Sequence, residues 1–205
     1  MKKNYILLLS ILLSGFSVSA QMIGGISASA SSTSLLASPN MNCDILYSFP
    51  SPVTPGGLAF DGTLFYSNGT NDLTIYKYDI TGQLVGTIPS PAINSNAHGD
   101  IDFDGTNLWV LVEEDNAVYK LDPSDGTVIF TFIVEGSTDH YGCAFDNGSL
   151  WVSDYTTHTI KRIDATTGEV MDTFPVDGKL LPLEIINGDL YGIVFEDGTP
   201  SGPML

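Results

Sequence analysis

Ala97–Gly136 reads AHGDIDFDGTNLWVLVEEDNAVYKLDPSDGTVIFTFIVEG, and it states in full a unit that the chain repeats on either side. Short apolar runs at Asp100–Phe103, Leu108–Val112, Ala117–Leu121 and Thr127–Ile133 are divided by DGTN, EEDN and DPSDG. Each run has the length of a strand and is too short for a helix. Asp104 and Asp122 are placed to accept hydrogen bonds from N–H groups just downstream, and Gly105 and Gly126 suit positive φ. The spacing therefore predicts a four-stranded antiparallel meander.

Neighbouring segments align on their turns. Phe60-Asp61-Gly62 opens one copy, Phe103-Asp104-Gly105 the next, Phe145-Asp146-Asn147-Gly148 a third and Ile186-Asn187-Gly188 a weaker fourth. The following Leu-aromatic pair recurs as Leu64-Phe65, Leu108-Trp109, Leu150-Trp151 and Leu190-Tyr191, with leucine steps of 44, 42 and 40 residues. IYKYD (75–79), VYKLD (118–122) and IKRID (160–164) repeat as third strands, each followed by a turn glycine, Gly82, Gly126 or Gly168. A period of roughly 40–45 residues with four strands per unit marks a β-propeller blade, whose two apolar faces only neighbouring blades can cover. The expected fold is all-β, with three full blades at 55–91, 97–134 and 139–176 and a partial fourth at 180–205.

The 205 residues are 43% hydrophobic and 15% charged, a composition for one globular domain with a sizeable core. Residues 1–20 have the form of an export signal: Lys2 and Lys3, an apolar stretch over Tyr5–Phe16, and Val18-Ser19-Ala20 before the expected cut at Gln21. This predicts a bacterial protein, secreted or periplasmic, with no membrane insertion. Residues 21–42 are small and polar and read as a flexible leader. Residues 43–54 carry an outer strand, since Ile45-Leu46-Tyr47-Ser48-Phe49-Pro50 matches LVGTIP (84–89), VIFTFI (128–133) and VMDTFP (170–175). A chain that begins with an outer strand is suited to completing the last blade and tying the ring shut. Because Gly198–Leu205 is rich in Pro and Gly, that blade lacks a third strand, and either self-association or further C-terminal blades is expected to cover it.

GLAFDGTLFYSNGTNDLTIYKYDITGQLVGTI (57–88) and YGCAFDNGSLWVSDYTTHTIKRIDATTGEVMDTF (141–174) resemble the secreted bacterial propellers of the NHL, YncE-like and SMP-30 (TolB-like) group. The resemblance spans about Cys43 to Phe195. It implies the architecture; members include lactonases, lyases, glutaminyl cyclotransferases and proteins that only bind, so activity must be argued from the site.

In such a fold one face gathers the loops between blades and those between second and third strands, and His98, His140 and His158 fall on it. His98 and His140 each lie six residues before a turn Asp, at the inner-strand entrance. With Asp100 and Glu184 they form the candidate acid–base set for a lactonase, lyase or cyclotransferase. Asp100, His98 and His140 are also the weak candidates for a metal, a divalent cation being the one cofactor left open. An EF-hand fails, because the twelfth position counted from Asp100 is Leu111. The alternative, which the sequence favours, is a noncatalytic module binding a protein, glycan or small molecule through the acidic face. Removing the signal leaves five basic against 24 acidic residues, which excludes nucleic acid and anionic membranes as partners. Lys77, Lys120 and Arg162 share one repeat position and predict a repeated structural pairing. Cys43 and Cys143 are expected on different radii of the ring, hence unbridged.

Overall fold

The computed structural model describes residues 48–69, 72–93, 99–136 and 139–195, together with the strand at 19–22; for 19–22 and 194–195 only the backbone is described. Among these residues there is no helix. Three four-stranded antiparallel sheets follow one another along the chain. The first is β2 (Pro55–Phe60), β3 (Leu64–Gly69), β4 (Thr74–Asp79) and β5 (Leu84–Pro89). The second is β6 (Ile101–Phe103), β7 (Leu108–Val112), β8 (Ala117–Leu121) and β9 (Val128–Ile133). The third is β10 (His140–Asp146), β11 (Ser149–Asp154), β12 (Thr159–Asp164) and β13 (Val170–Pro175). The fourth sheet has three strands, β14 (Lys179–Ile186), β15 (Asp189–Phe195) and β1 (Ser19–Met22), with β15 in the middle. This is the propeller architecture: meander blades whose apolar faces meet in three core clusters between successive sheets.

Strand pairing moves one alignment by a residue. Tyr66 lies opposite Lys77 as Trp109 lies opposite Lys120 and Trp151 opposite Arg162. Phe65, expected to match the tryptophans, instead takes the leucine place. The cause is turn length: Asp61 precedes Leu64 by three residues, whereas Asp104 precedes Leu108 by four. The carboxylates of both turns do the same work. Asp61 Oδ1 accepts from the N–H groups of Thr63 and Leu64, and its Oδ2 from the Tyr66 hydroxyl at 2.9 Å. Asp104 Oδ1 accepts from Thr106 and Asn107, and its Oδ2 from Trp109 Nε1 at 2.9 Å. The third blade uses a two-residue hairpin with positive φ at Asn147 and Gly148, and Trp151 Nε1 is left buried without a partner.

The repeated cation is structural, with a different partner in each blade. Lys77 donates to the carbonyls of Pro123 and Ser124, Lys120 pairs with Asp104 at 2.9 Å, and Arg162 pairs with Asp172 at 2.6 Å. What repeats without change is the ring beneath the charge: Tyr66, Trp109 and Trp151 lie 5.8, 4.9 and 5.9 Å from these cations.

The last sheet departs from expectation at its outer side. Its third strand is Ser19–Met22, a stretch the sequence divides between signal and leader. Pairing here satisfies N–H and C=O groups along the outer edge of β15 that would otherwise stay bare. Ser48–Thr54 carries no strand, with Pro50 and Pro52 lacking N–H groups; Cys43 and Ile45–Tyr47 lie outside the described residues.

Candidate functional site

Ala59, Asp102, Ala144 and Glu184 occupy one position on the four innermost strands, each opposite the ring position Tyr66, Trp109, Trp151 or Tyr191. Acids therefore alternate with alanines from blade to blade. Asp102 is largely withdrawn from water, and burial raises its pKa, while the N–H groups of Phe145 and Phe103 oppose the rise. Solvent reaches Glu184, yet protein surrounds it closely enough that desolvation, with the Asp102 charge added, pushes it up to about 7.

Asp100 stands where the blades meet. Its Oδ1 accepts from Ile101 N at 3.0 Å, and its Oδ2 accepts from Cys143 N of the third blade at 3.2 Å and Leu183 N of the fourth at 3.4 Å. In the first blade the equivalent position is Gly57, where an added Cβ would lie 2.6 Å from Asp100 Oδ1. Glycine there makes room for the carboxyl group. Burial pushes Asp100 up to about 8 against the pull of its three N–H donors. The inner strands are irregular at this level, with register shifts between Pro55 and Gly57, His140 and Cys143, and Leu180 and Leu183. Two side chains repair them: Asn68 joins Gly57 N to Gly99 O, and Ser153 joins Gly142 N to Leu181 O.

His140 lies in a different cluster. It is fully buried, with Nε2 at 3.1 Å from Lys161 Nζ and 3.5 Å from Asp154 Oδ2. Lys161 also donates to Asp154 Oδ2 at 3.1 Å and to Glu135 O at 2.7 Å. An ammonium only donates, so Nε2 accepts and the ring proton sits on Nδ1, which is buried with no partner. Burial and the Lys161 charge push His140 down to about 4, so it is neutral near pH 7. No hydrogen bond or ion pair among the described residues joins it to Asp100 or Glu184. His98 lies outside the described residues. Among those described, no three His, Cys, Asp or Glu are placed to hold a metal ion. Cys143 is a buried free thiol in the core between the second and third blades, its pKa raised by burial.

The sequence reading missed Lys161, although the signal is visible: IKRID puts Lys where IYKYD and VYKLD put Tyr76 and Tyr119, which bond to Asp72 and Asp115. It also missed an aromatic pair on the loop-bearing face. Tyr141 and Tyr155 meet at 5.3 Å with their rings tilted by 57°. The Tyr141 hydroxyl bonds to Glu113 of the second blade, and burial, with that bond, raises its pKa. Lys179 Nζ of the fourth blade sits 4.7 Å over the Tyr155 ring. Glu113 and Tyr155 are equivalent repeat positions, each one residue past the second strand, so Tyr141 bridges two neighbouring blades through them.

A family model described as a repeat of unknown function (DUF6923) matches residues 24–169. The chain belongs to this family. No curated protein matches it. Among solved structures, it is similar to glutaminyl cyclase from Myxococcus xanthus, at 12% identity and a TM-score of 0.55, over 69% of this chain and 72% of that one. It is similar to virginiamycin B lyase from Staphylococcus aureus, at 20% identity and a TM-score of 0.54, covering 71% of this chain. This chain spans about half the length of that lyase, 51%. It is also similar to the computationally designed Ika4 protein, at 19% identity and a TM-score of 0.52, over 70% of this chain and 86% of the design. Likeness at these identities shows the propeller fold alone.

Proposed function

We propose that this is a noncatalytic propeller, secreted or periplasmic, whose acidic loop-bearing face binds a ligand carrying an ammonium or guanidinium group, such as a basic peptide segment. The observation that carries the reading is the Tyr141–Tyr155 pair, held by Glu113 on one side and already covered by the Lys179 ammonium on the other. The Lys179 contact shows that this ring attracts a cation, and a ligand ammonium would take the place of Lys179 on the Tyr155 face, since two like charges do not share it. Lys77, Lys120, Lys161, Arg162 and Lys179 are all engaged within the fold, so the excess of acids is uncompensated on the surface and draws cations. Against catalysis, Asp100 is committed to backbone donors and His140 to Lys161. Retention on a panel of basic, neutral and acidic peptides and soluble glycans tests the reading. Selective, salt-sensitive retention of the basic peptides is expected; equal retention of all peptides, or of glycans only, contradicts it.

One observation favours the enzyme alternative: Glu184 is reachable by solvent, and a pKa of about 7 suits proton transfer. On that reading, Glu184→Gln abolishes turnover of a lactone or an N-terminal glutaminyl peptide that the unaltered protein converts.

A further inference from the structure

In the first two blades an aromatic donor and its neighbouring cation come with a carboxylate. Asp104 Oδ2 of the second blade accepts from Trp109 Nε1 and from Lys120 Nζ, both at 2.9 Å. Asp61 Oδ2 of the first accepts from the Tyr66 hydroxyl at 2.9 Å, with the Lys77 ammonium 5.8 Å from the same ring. In both, Oδ1 fixes the carboxyl group by accepting from two turn N–H groups, those of Thr63 and Leu64 or of Thr106 and Asn107.

The third blade keeps the donors and moves the acid. Trp151 and Arg162 lie opposite each other in the register, the guanidinium 5.9 Å from the ring. Positive φ at both Asn147 and Gly148 gives a hairpin in which Asp146 pairs with Ser149, and Asp146 Oδ1 accepts from the Asn147 side-chain amide at 2.8 Å. Trp151 Nε1 and Arg162 Nε are both buried with no partner among the described residues. Asp172 takes Arg162 Nη2 at 2.6 Å and leaves the Nε–H, while Asp164 is turned to the N–H groups of Thr166 and Thr167. Indole and guanidinium nitrogens only donate, so neither group satisfies the other. Buried donors are ordinarily paired, and a break in a rule that the sister blades keep is expected where a site is built.

We propose that Trp151 and Arg162 form a binding site for a carboxylate group, on the face opposite the loops. The ligand takes the place that the Asp104 carboxyl holds in the second blade, accepting from the indole N–H and from the guanidinium. Solvent lies close by: Trp109, behind Asp104, is fully buried, whereas Trp151 is partly exposed and the Arg162 side chain is 39% exposed. Arg162 is the outer wall, so entry moves a flexible surface side chain and leaves the core in place. A small organic acid and the C-terminus of a peptide present the same group.

The chain has two tryptophans, so a proton–nitrogen correlation spectrum carries two indole signals, one from the N–H bonded to Asp104 and one from the proposed site. Sodium acetate added to the full, unaltered chain, against sodium chloride at matched ionic strength, should move the Trp151 signal downfield and saturably and leave Trp109 in place. A short peptide with a free C-terminus, compared with its C-terminal amide, separates the sources. Saturation by the peptide acid at lower concentration than by acetate assigns the site to a chain terminus, and saturation at equal or higher concentration assigns it to a small acid. In Arg162→Gln the acetate affinity should fall about tenfold, since a charge-assisted bond is lost. Copying the second blade's turn as Asn147→Gly, Gly148→Thr, Ser149→Asn should carry Asp146 onto Trp151 Nε1, shifting the signal without acetate and abolishing the response. The proposal is overturned if Trp151 answers neither acid, answers chloride equally or moves together with Trp109. An acetate response unchanged in Arg162→Gln, or retained in the turn variant, overturns it too. If the turn variant does not accumulate, the unaltered chain and Arg162→Gln decide between them.

Discussion

Asp100, Asp102 and Asp104 stand two residues apart on one strand and its turn, yet they meet three environments. Asp104 is held below the ordinary carboxylate range: burial would raise it, but Lys120 and the turn N–H groups outweigh that. Asp100 and Asp102 have backbone donors and no cation, so burial wins and both rise. The sign for stability follows. A carboxyl group raised on folding contributes fully below its unfolded value, and that contribution is lost as pH climbs to the folded value. For Glu184 the window runs from 4.5 to about 7. Glu184→Gln should accordingly lose less melting temperature than the unaltered protein between pH 4.5 and 7; parallel curves would refute the assignment. His140 works the other way, a base depressed from 6.5 to about 4, so its contribution is lost as pH falls through that range. Its ring resonances should titrate below pH 5 by NMR, and a midpoint near 6.5 would mean the ring is not buried beside Lys161. Asp100 and Glu184 were legible in sequence as members of one candidate set; Asp102 joins them through the strand register. That Asp100 serves the backbone was not, because its donors come from strands 43 and 83 positions away.

Blades owe their legibility to turn chemistry. Wherever an Asp side chain folds the chain back and a glycine takes positive φ, the strand boundaries fall within a residue or two of those read from sequence. Register proved harder, since one residue fewer in the first turn moved the ring position from Phe65 to Tyr66. The strand at Ser19–Met22 was illegible for a different reason: small residues carry no alternating pattern, and only the bare edge of β15 gives them a role. Inner-strand packing supplies a prediction at this scale. Gly57→Ala drives a methyl into Asp100 and should cost about 1–3 kcal/mol in denaturant unfolding, whereas Gly86→Ala, with nothing nearer than 3.9 Å, should cost less. Equal costs would count against the close meeting of blades at Asp100. Trp109 ties the second and third blades together, fully buried, stacked with Phe145 at 6.1 Å and bonded to Asp104. Trp109→Ala should destabilise by about 3–5 kcal/mol.

At the scale of the molecule, the proposed binding rests on a difference between the two faces. Regular Asp turns close the opposite face with internal hydrogen bonds, as Asp164 does with the N–H groups of Thr166 and Thr167. On the loop-bearing face the half-buried carboxylates of Glu113 and Asp139 stand beside Tyr141, and the five described cations are engaged within the fold. Net charge was plain from composition; the tyrosine pair was not, because it joins two residues of one blade whose nearness depends on the register of β10 against β11, which is irregular between His140 and Cys143. The most direct measurement of the binding account is calorimetric titration with a lysine-rich peptide at low and physiological salt. Tyr141→Ala and Tyr155→Ala should each weaken binding by about tenfold, with Thr166→Ala on the opposite face unchanged and the affinity falling as salt rises. Equal affinity across the three variants, or binding indifferent to salt, would contradict it.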